Sequence, residues 1–204
     1  IDAYIYLLER RVPRDVESPS GSLFTFRNDT YSQVGQDGII EEIFKRLNIK
    51  NGTFCEFGAW DGLHLSNARK LVDEGWGGVF IEGDSERFLQ LVQNYPSSNI
   101  IKINAWVGFL NSNDKTGSIL YDLLLQYVPE KYIEDLDLLV IDVDGIDLEI
   151  ALSSKVRPKV MVIEGGSSFV PSINSAFPNS ANNFQHPLSY IVNQMLDIDY
   201  ISVC

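Results

Sequence analysis

The chain is poor in the residues that build covalent or metal-rich scaffolds. Its 204 residues include two cysteines and two histidines. The cysteines, Cys55 inside an apolar run and Cys204, make no disulfide framework, which places the protein in a reducing, cytoplasmic setting. The histidines, His64 and His186, stand near no serine or cysteine pattern that suggests nucleophilic catalysis. Basic residues are also short. Lys and Arg number 16 against 28 Asp and Glu, a net charge of -12. A field of that sign repels phosphate backbones and anionic lipid, so the expected partners include no nucleic acid and no membrane. No apolar run approaches the ~20 residues of a membrane span. The opening stretch IDAYIYLLERRVPRD has neither the long apolar core nor the cleavage site of a signal peptide. Internal repeats and low-complexity tracts are missing too, and a hydrophobic content of 45% is enough for one buried core.

What the chain does have is alternation. Short apolar runs separated by amphipathic stretches are the pattern of βαβ units and a parallel sheet. Residues 53–57, 78–82, 99–103, 138–142, 159–163 and 200–203 read as strands, with helices near 66–75, 85–94, 117–127, 146–154 and 187–196. Ile39, Ile40, Ile43, Phe44 and Leu47 recur at helical spacing, so 33–48 reads as an amphipathic helix. Residues 3–11 read as a further helix, followed by a polar linker around SPSGS; together they form an N-terminal extension over 1–30, ahead of a domain at 31–204. The expected fold is α/β: a Rossmann-like, doubly wound, mostly parallel sheet in the order 3-2-1-4-5-6. One irregular stretch, SSFVPSINSAFPNSANNFQHP, is long enough to suggest a lid.

Chemistry first shows in FCEFGAWDGLHLSN, residues 54–67. An apolar strand ends on Glu56 and enters a turn with glycine at 58 and 62. A dinucleotide site wants G-x-G-x-x-G, with a pyrophosphate resting on a helix N-terminus. Here the first glycine is replaced by Glu56 and the last interval is one residue too long. A carboxylate repels a pyrophosphate and favours a cation. S-adenosylmethionine carries an ammonium and a sulfonium and no phosphate, so the sign of the charge favours it over NAD. Glu82 ends the next strand, where an acid can accept hydrogen bonds from both ribose hydroxyls. The alternative reading of the glycines is a tight strand-to-helix connection.

The order of motifs resembles the FkbM-type branch of the class I S-adenosylmethionine-dependent methyltransferases. The resemblance begins at YSQVGQDGIIEEIF, continues through FCEFGAWDGLHLSN and GWGGVFIEGD, covers DLLVIDVDGIDLEI and RPKVMVIEGG, and ends at HPLSYIVNQMLDIDYISV. Three places depart from it. The first turn has Trp60-Asp61 where an Asn-Gly pair is common, the fifth strand ends Glu164-Gly165-Gly166 rather than Glu-x-Asn, and no closing antiparallel seventh strand follows the sixth. The resemblance implies a donor pocket of Glu56, Gly58, Ala59 and Gly62 around the methionine moiety, Glu82 and Gly83 at the ribose, and Asn104 and Ala105 at the adenine. It also puts Gln36, with Gln33, and Ser66 near the donor's carboxylate. Trp60 either stacks on ligand or packs under the turn. The acceptor it implies is an oxygen of a sugar, glycan or related small metabolite.

A second acidic group follows the fourth strand. LLVIDVDGID places Asp142 at the strand's end, with Asp144 and Asp147 just beyond. Three acids after a buried run are costly unless they bind something or face water; helix capping accounts for one of them. Asp142 and Asp144 are the candidate general bases for deprotonating an acceptor hydroxyl. With Glu164 they form a candidate site for a divalent cation such as magnesium. His64 and His186 remain secondary candidates for the base. A nucleotide-sugar or NAD-dependent oxidoreductase is the competing enzyme class, but the chain has no convincing Tyr-x-x-x-Lys pair. A non-catalytic interaction module of the same fold is the other alternative.

Overall fold

In the computed structural model the described residues are 2–8, 23–96, 99–108, 118–165 and 186–203, the first segment through its backbone. The chain runs through β1 (Asp2–Leu8), a 3-10 turn (Leu23–Phe26), α1 (Gln36–Arg46), β2 (Thr53–Phe57), α2 (Arg69–Asp73), β3 (Gly77–Glu82), α3 (Ser85–Asn94) and β4 (Ile100–Asn104). It continues through β5 (Val107–Gly108), β6 (Ser118–Ile119), α4 (Leu120–Leu124), α5 (Glu130–Glu134), β7 (Leu138–Ile141), α6 (Asp147–Ser153), β8 (Val160–Gly165), α7 (Leu188–Leu196) and β9 (Tyr200–Ser202).

Seven of these strands form one sheet in the order β4-β3-β2-β7-β8-β1-β9. Its first five members are parallel, with Glu56 of β2 level with Phe80 of β3 and Val140 of β7. The chain steps outward from β2 to β3 and β4, then returns to the other side of β2 as β7. The order therefore reverses between β2 and β7, and the crevice of an open parallel sheet lies at the carboxyl ends of such a pair.

Strand alternation sends side chains to two apolar layers. Phe54, Phe80, Leu138, Val140, Val160 and Val162 meet Ile39, Ile40, Ile43 and Phe44 of α1 and Leu71 of α2 on one face. Cys55, Phe57, Val79, Ile81, Leu139, Ile141, Met161 and Ile163 meet α4, α5, α6 and α7 on the other. Helices thus cover both faces, as a buried parallel sheet requires. The alternation also decides where the acids point: Glu56 and Glu82 share the face of Phe54 and Phe80.

The N-terminal segment corrects two expectations. Residues 2–8 are a strand rather than part of a helix over 3–11; residues 9–22 lie outside the described part. β1 runs antiparallel to β8 and to β9, so the sheet carries an antiparallel strand between its fifth parallel strand and β9, and β9 does not lie beside β8. The physical reason is that residues 3–8, AYIYLL, are apolar or aromatic throughout. Periodicity cannot separate strand from helix in such a run, and Tyr and Ile favour strands once a sheet edge is open to them. The expected lid falls almost wholly on residues 166–185, outside the described part.

Candidate active site at the strand ends

The first turn is held by its own backbone. Gly58, Trp60 and Gly62 all have positive φ, at 75, 50 and 72°. A Cβ on Gly58 would lie 1.7 Å from the carbonyl oxygen of Asp142, so the glycine there lets β2's turn press against the end of β7. On Gly62 it would meet Tyr95 at 2.5 Å. The Ala59 N–H donates to the Ile81 carbonyl (3.2 Å) and the Gly62 N–H to the Ala59 carbonyl (2.7 Å). The N–H groups of Leu63 and His64 donate to Asp61 at 2.9 and 2.8 Å. The N–H groups of Ala59, Trp60, Gly62, Leu63 and His64 are thus engaged within the protein rather than held out for an anion.

Glu56 and Glu82 each organise the segment that follows. Buried Glu56 accepts from the Ser66 hydroxyl at 2.7 Å and from the backbone N–H groups of Asn67 and Ala68 at 3.1 Å each, while Ser66 Oγ also accepts from the Arg69 N–H. Burial pushes the Glu56 carboxyl up to about 7, with nearby Asp142 acting in the same direction, even though the three donors favour the charged form. Glu82 accepts at 2.7 Å from the Trp60 N–H on one oxygen and from the Asp84 N–H on the other. A carboxylate oxygen can accept twice, so each Glu82 oxygen retains capacity for a hydroxyl.

The remaining donor-pocket candidates divide by environment. Asn104 uses its amide on the Glu82 carbonyl (2.8 Å) and accepts from Ser85 Oγ, and the Ala105 N–H also reaches the Glu82 carbonyl. Gly83 is crowded from outside, since a Cβ there would meet the Trp106 ring at 2.4 Å. The Trp106 side chain is 61% exposed. Trp60 is also exposed, with the Arg87 guanidinium 4.1 Å from its ring centroid and His64 edge-on at 5.2 Å. The Arg87 guanidinium thus covers one face of the Trp60 indole, while Trp106 is the more exposed ring next to Gly83. Trp106 was not among the sequence candidates, although an aromatic residue two positions past a strand end was the available signal. Gln36 is buried at the start of α1 and Gln33 half-buried before it; among the described residues no hydrogen bond joins either side chain to the turn.

Across the crevice, the end of β7 and the end of β8 meet. Asp142, Asp144 and Glu164 each present a carboxylate oxygen within 4.8 Å of the others. Asp142 and Glu164 share a side-chain hydrogen bond. Burial and the Asp142, Asp147 and Asp144 charges raise the Glu164 carboxyl to about 8; burial and Asp144 raise Asp142. Burial and mutual repulsion thus favour a proton on this group, within reach of the Asp142–Glu164 hydrogen bond. Asp144 is exposed at a φ of 59°. Asp147 has a different job: it accepts from the Val143 and Gly145 N–H groups at 2.8 Å each and so pins the turn that carries Asp144. Burial raises it to about 7.

The histidines stand apart from this group. His64 is exposed on the first turn. His186, buried before α7, has Nε2 2.7 Å from Glu149 of α6 and its ring 5.1 Å from Tyr190. Three oxygen donors in close array suit a hard cation, whose charge offsets the repulsion that raises Glu164. Compared with known proteins, the chain matches no family model and no curated protein.

Proposed function

We propose that the protein transfers a methyl group from S-adenosylmethionine to an oxygen of a small polar acceptor, such as a sugar or glycan, on a Rossmann-like doubly wound fold of the cytoplasm. The observation that carries this reading is the character of the strand ends. β2, β3 and β8 each end on or just before a glycine with a buried carboxylate, Asp142 follows β7, and the N–H groups of Ala59, Trp60, Gly62, Leu63 and His64 in the first turn are engaged within the protein. Such a crevice repels a pyrophosphate and accepts a ligand with positive charge and free hydroxyls.

Glu82 receives the ribose hydroxyls in this reading, with the exposed Trp106 ring, next to Gly83, for an adenine to stack on. Glu56 holds the turn in shape, and the donor's cationic end nearby favours its charged form. Bound there, S-adenosylmethionine supplies an electrophilic methyl group. Asp142 takes the proton from the acceptor hydroxyl, and its raised pKa makes it a better base than an ordinary aspartate. Asp144, on the exposed side of the group, orients the acceptor. Asp142, Asp144 and Glu164 would also hold a divalent cation such as magnesium, which supplies a lowered hydroxyl pKa and alignment.

Calorimetry with S-adenosylhomocysteine, NAD and a UDP-sugar in parallel tests the proposal. Saturable binding of the first alone is expected. Binding of NAD or the UDP-sugar in its place replaces the methyltransferase reading with an oxidoreductase one. The internal hydrogen bonds of Glu56 also suit an interaction module that keeps the acids for its own turns, and that reading takes over if none of the three binds.

A further inference from the structure

A cavity of about 480 Å³ opens at the far end of the sheet from the acidic crevice, where β2, β7 and β8 begin. That size lies within the range of small-molecule sites. Thr53, the first residue of β2, lines it together with Asp137 and Lys159, which stand just ahead of β7 and β8. Its other wall is α5, through Lys131 and Tyr132, with Asp135 at the end of that helix. Buried Asp137 accepts from the Thr53 N–H at 2.8 Å and pairs with Lys159, so this side is closed and its charges cancel. The Tyr132 hydroxyl donates to the Phe54 carbonyl at 3.1 Å, which fixes its half-buried ring as a flat face.

Two features of this lining are left unsatisfied. Thr53 Oγ1 is enclosed and has no hydrogen-bond partner, a defect that a bound molecule or an ordered water repairs. Lys131 and Asp135 stand four residues apart on one helical face, roughly 5–6 Å between their Cβ atoms. Opposite charges at that spacing and in that order pair elsewhere in the protein, as Arg69 does with Asp73 and Lys70 with Glu74 in α2. Lys131 and Asp135 both face the cavity, and among the described residues neither side chain has an ion-pair partner. One ammonium and one carboxylate thus remain for a ligand, above a floor that is already neutral.

We propose that this cavity is a second binding site, and that it takes a small zwitterion of the amino-acid class. The ligand's carboxylate meets Lys131 and its ammonium meets Asp135. Its apolar side chain lies on the Tyr132 ring and on Pro129, and the Thr53 hydroxyl gains a partner. A ligand with a single charge would leave either Lys131 or Asp135 unmatched. The site is separate from the crevice: β2 runs from Thr53 here to Glu56 there, and β8 from Val160 to Glu164. It therefore stands whether or not the crevice binds a methyl donor.

Titration of the isotope-labelled full chain with L-phenylalanine, followed through amide chemical shifts, tests the proposal. Saturable shifts are expected at Thr53, Tyr132 and Lys159. 3-Phenylpropionate lacks the ammonium and phenethylamine lacks the carboxylate, so each should bind roughly tenfold or more weakly than phenylalanine. Lys131→Met and Asp135→Asn should each weaken phenylalanine by a similar factor and leave the urea midpoint unchanged, because both side chains are exposed and unpaired. Thr53→Val keeps a strand-forming shape and removes the orphaned hydroxyl, so affinity should fall while the urea midpoint does not. Equal binding of the three probes, or parent-like affinity in both charge variants, would overturn the proposal. So would millimolar phenylalanine that shifts none of these residues, or that shifts only the turns at the carboxyl ends of the strands.

Discussion

Glu82 and Gly58 show how single side chains here serve the backbone and the crevice together. Glu82 fixes the Trp60 and Asp84 N–H groups, so Glu82→Ala should lower stability as well as weaken S-adenosylhomocysteine, the latter by about 1.5–3 kcal/mol, the usual range for a charged hydrogen bond. Glu82→Gln keeps an acceptor for one N–H and separates the two effects. Calorimetry against urea titration of both variants checks this; unchanged affinity in folded Glu82→Ala removes the residue from the ribose site. Gly58 is the sharper case. A side chain there meets the Asp142 carbonyl before it reaches any ligand, and a positive φ adds strain. Gly58→Ala should therefore lose more than about 2 kcal/mol of stability, with loss of donor binding following from a displaced Asp142 rather than from a filled pocket. A denaturation midpoint equal to the parent's would contradict that packing.

The turn after β2 behaves as one element because Glu56 reaches residues ten to twelve positions ahead. Glu56→Ala leaves two buried N–H groups and the Ser66 hydroxyl without their acceptor, a loss of about 2–4 kcal/mol. Hydrogen exchange should rise over residues 66–70 while β2 itself stays protected; uniform loosening of the sheet would show that Glu56 supports more than this segment. Such long-range partners explain which parts of the chain were legible beforehand. The strands and helices of the parallel half stand out because each is a strongly apolar or amphipathic run bounded by Gly, Asp or Pro, and their order follows from the right-handed crossover rule. The acidic strand ends were legible as well, since a carboxylate closing a buried run is visible in sequence. The use made of Glu56, Asp147 and Gly58 was not, because their partners are set by how the turns fold back. α5, EKYIE, has Ile133 as its one buried residue, so no apolar period registers in it. β1 could not be read because its conformation is decided by an edge that lies more than 150 residues away in the chain.

The molecule as a whole carries 28 acidic residues against 16 basic ones, and among the described residues burial lifts three carboxyls toward neutrality. Glu56 and Asp147 rise to about 7 and Glu164 to about 8, from 4.5, 3.8 and 4.5. Folded values above unfolded ones mean that the folded protein holds protons the unfolded chain has already released. Raising the pH through that window therefore removes stability, with a slope of up to about 1.4 kcal/mol per pH unit for each group. Below the unfolded values both states are protonated and the effect vanishes. Urea midpoints should fall steadily between pH 5 and pH 8. Glu56→Gln should flatten the part of that curve below pH 7, and Glu164→Gln the part that extends to pH 8. Magnesium binds the deprotonated acids, so if Asp142, Asp144 and Glu164 hold the cation, millimolar magnesium should restore stability above pH 7 in the parent and not in Glu164→Gln. The same concentration should leave the slope below pH 6 unchanged, since the group there keeps its proton and has no site to offer. A magnesium effect of equal size in both proteins would assign the ion to the general acidic surface. A parent curve that magnesium leaves untouched at every pH would leave Asp142 to act as base without a metal.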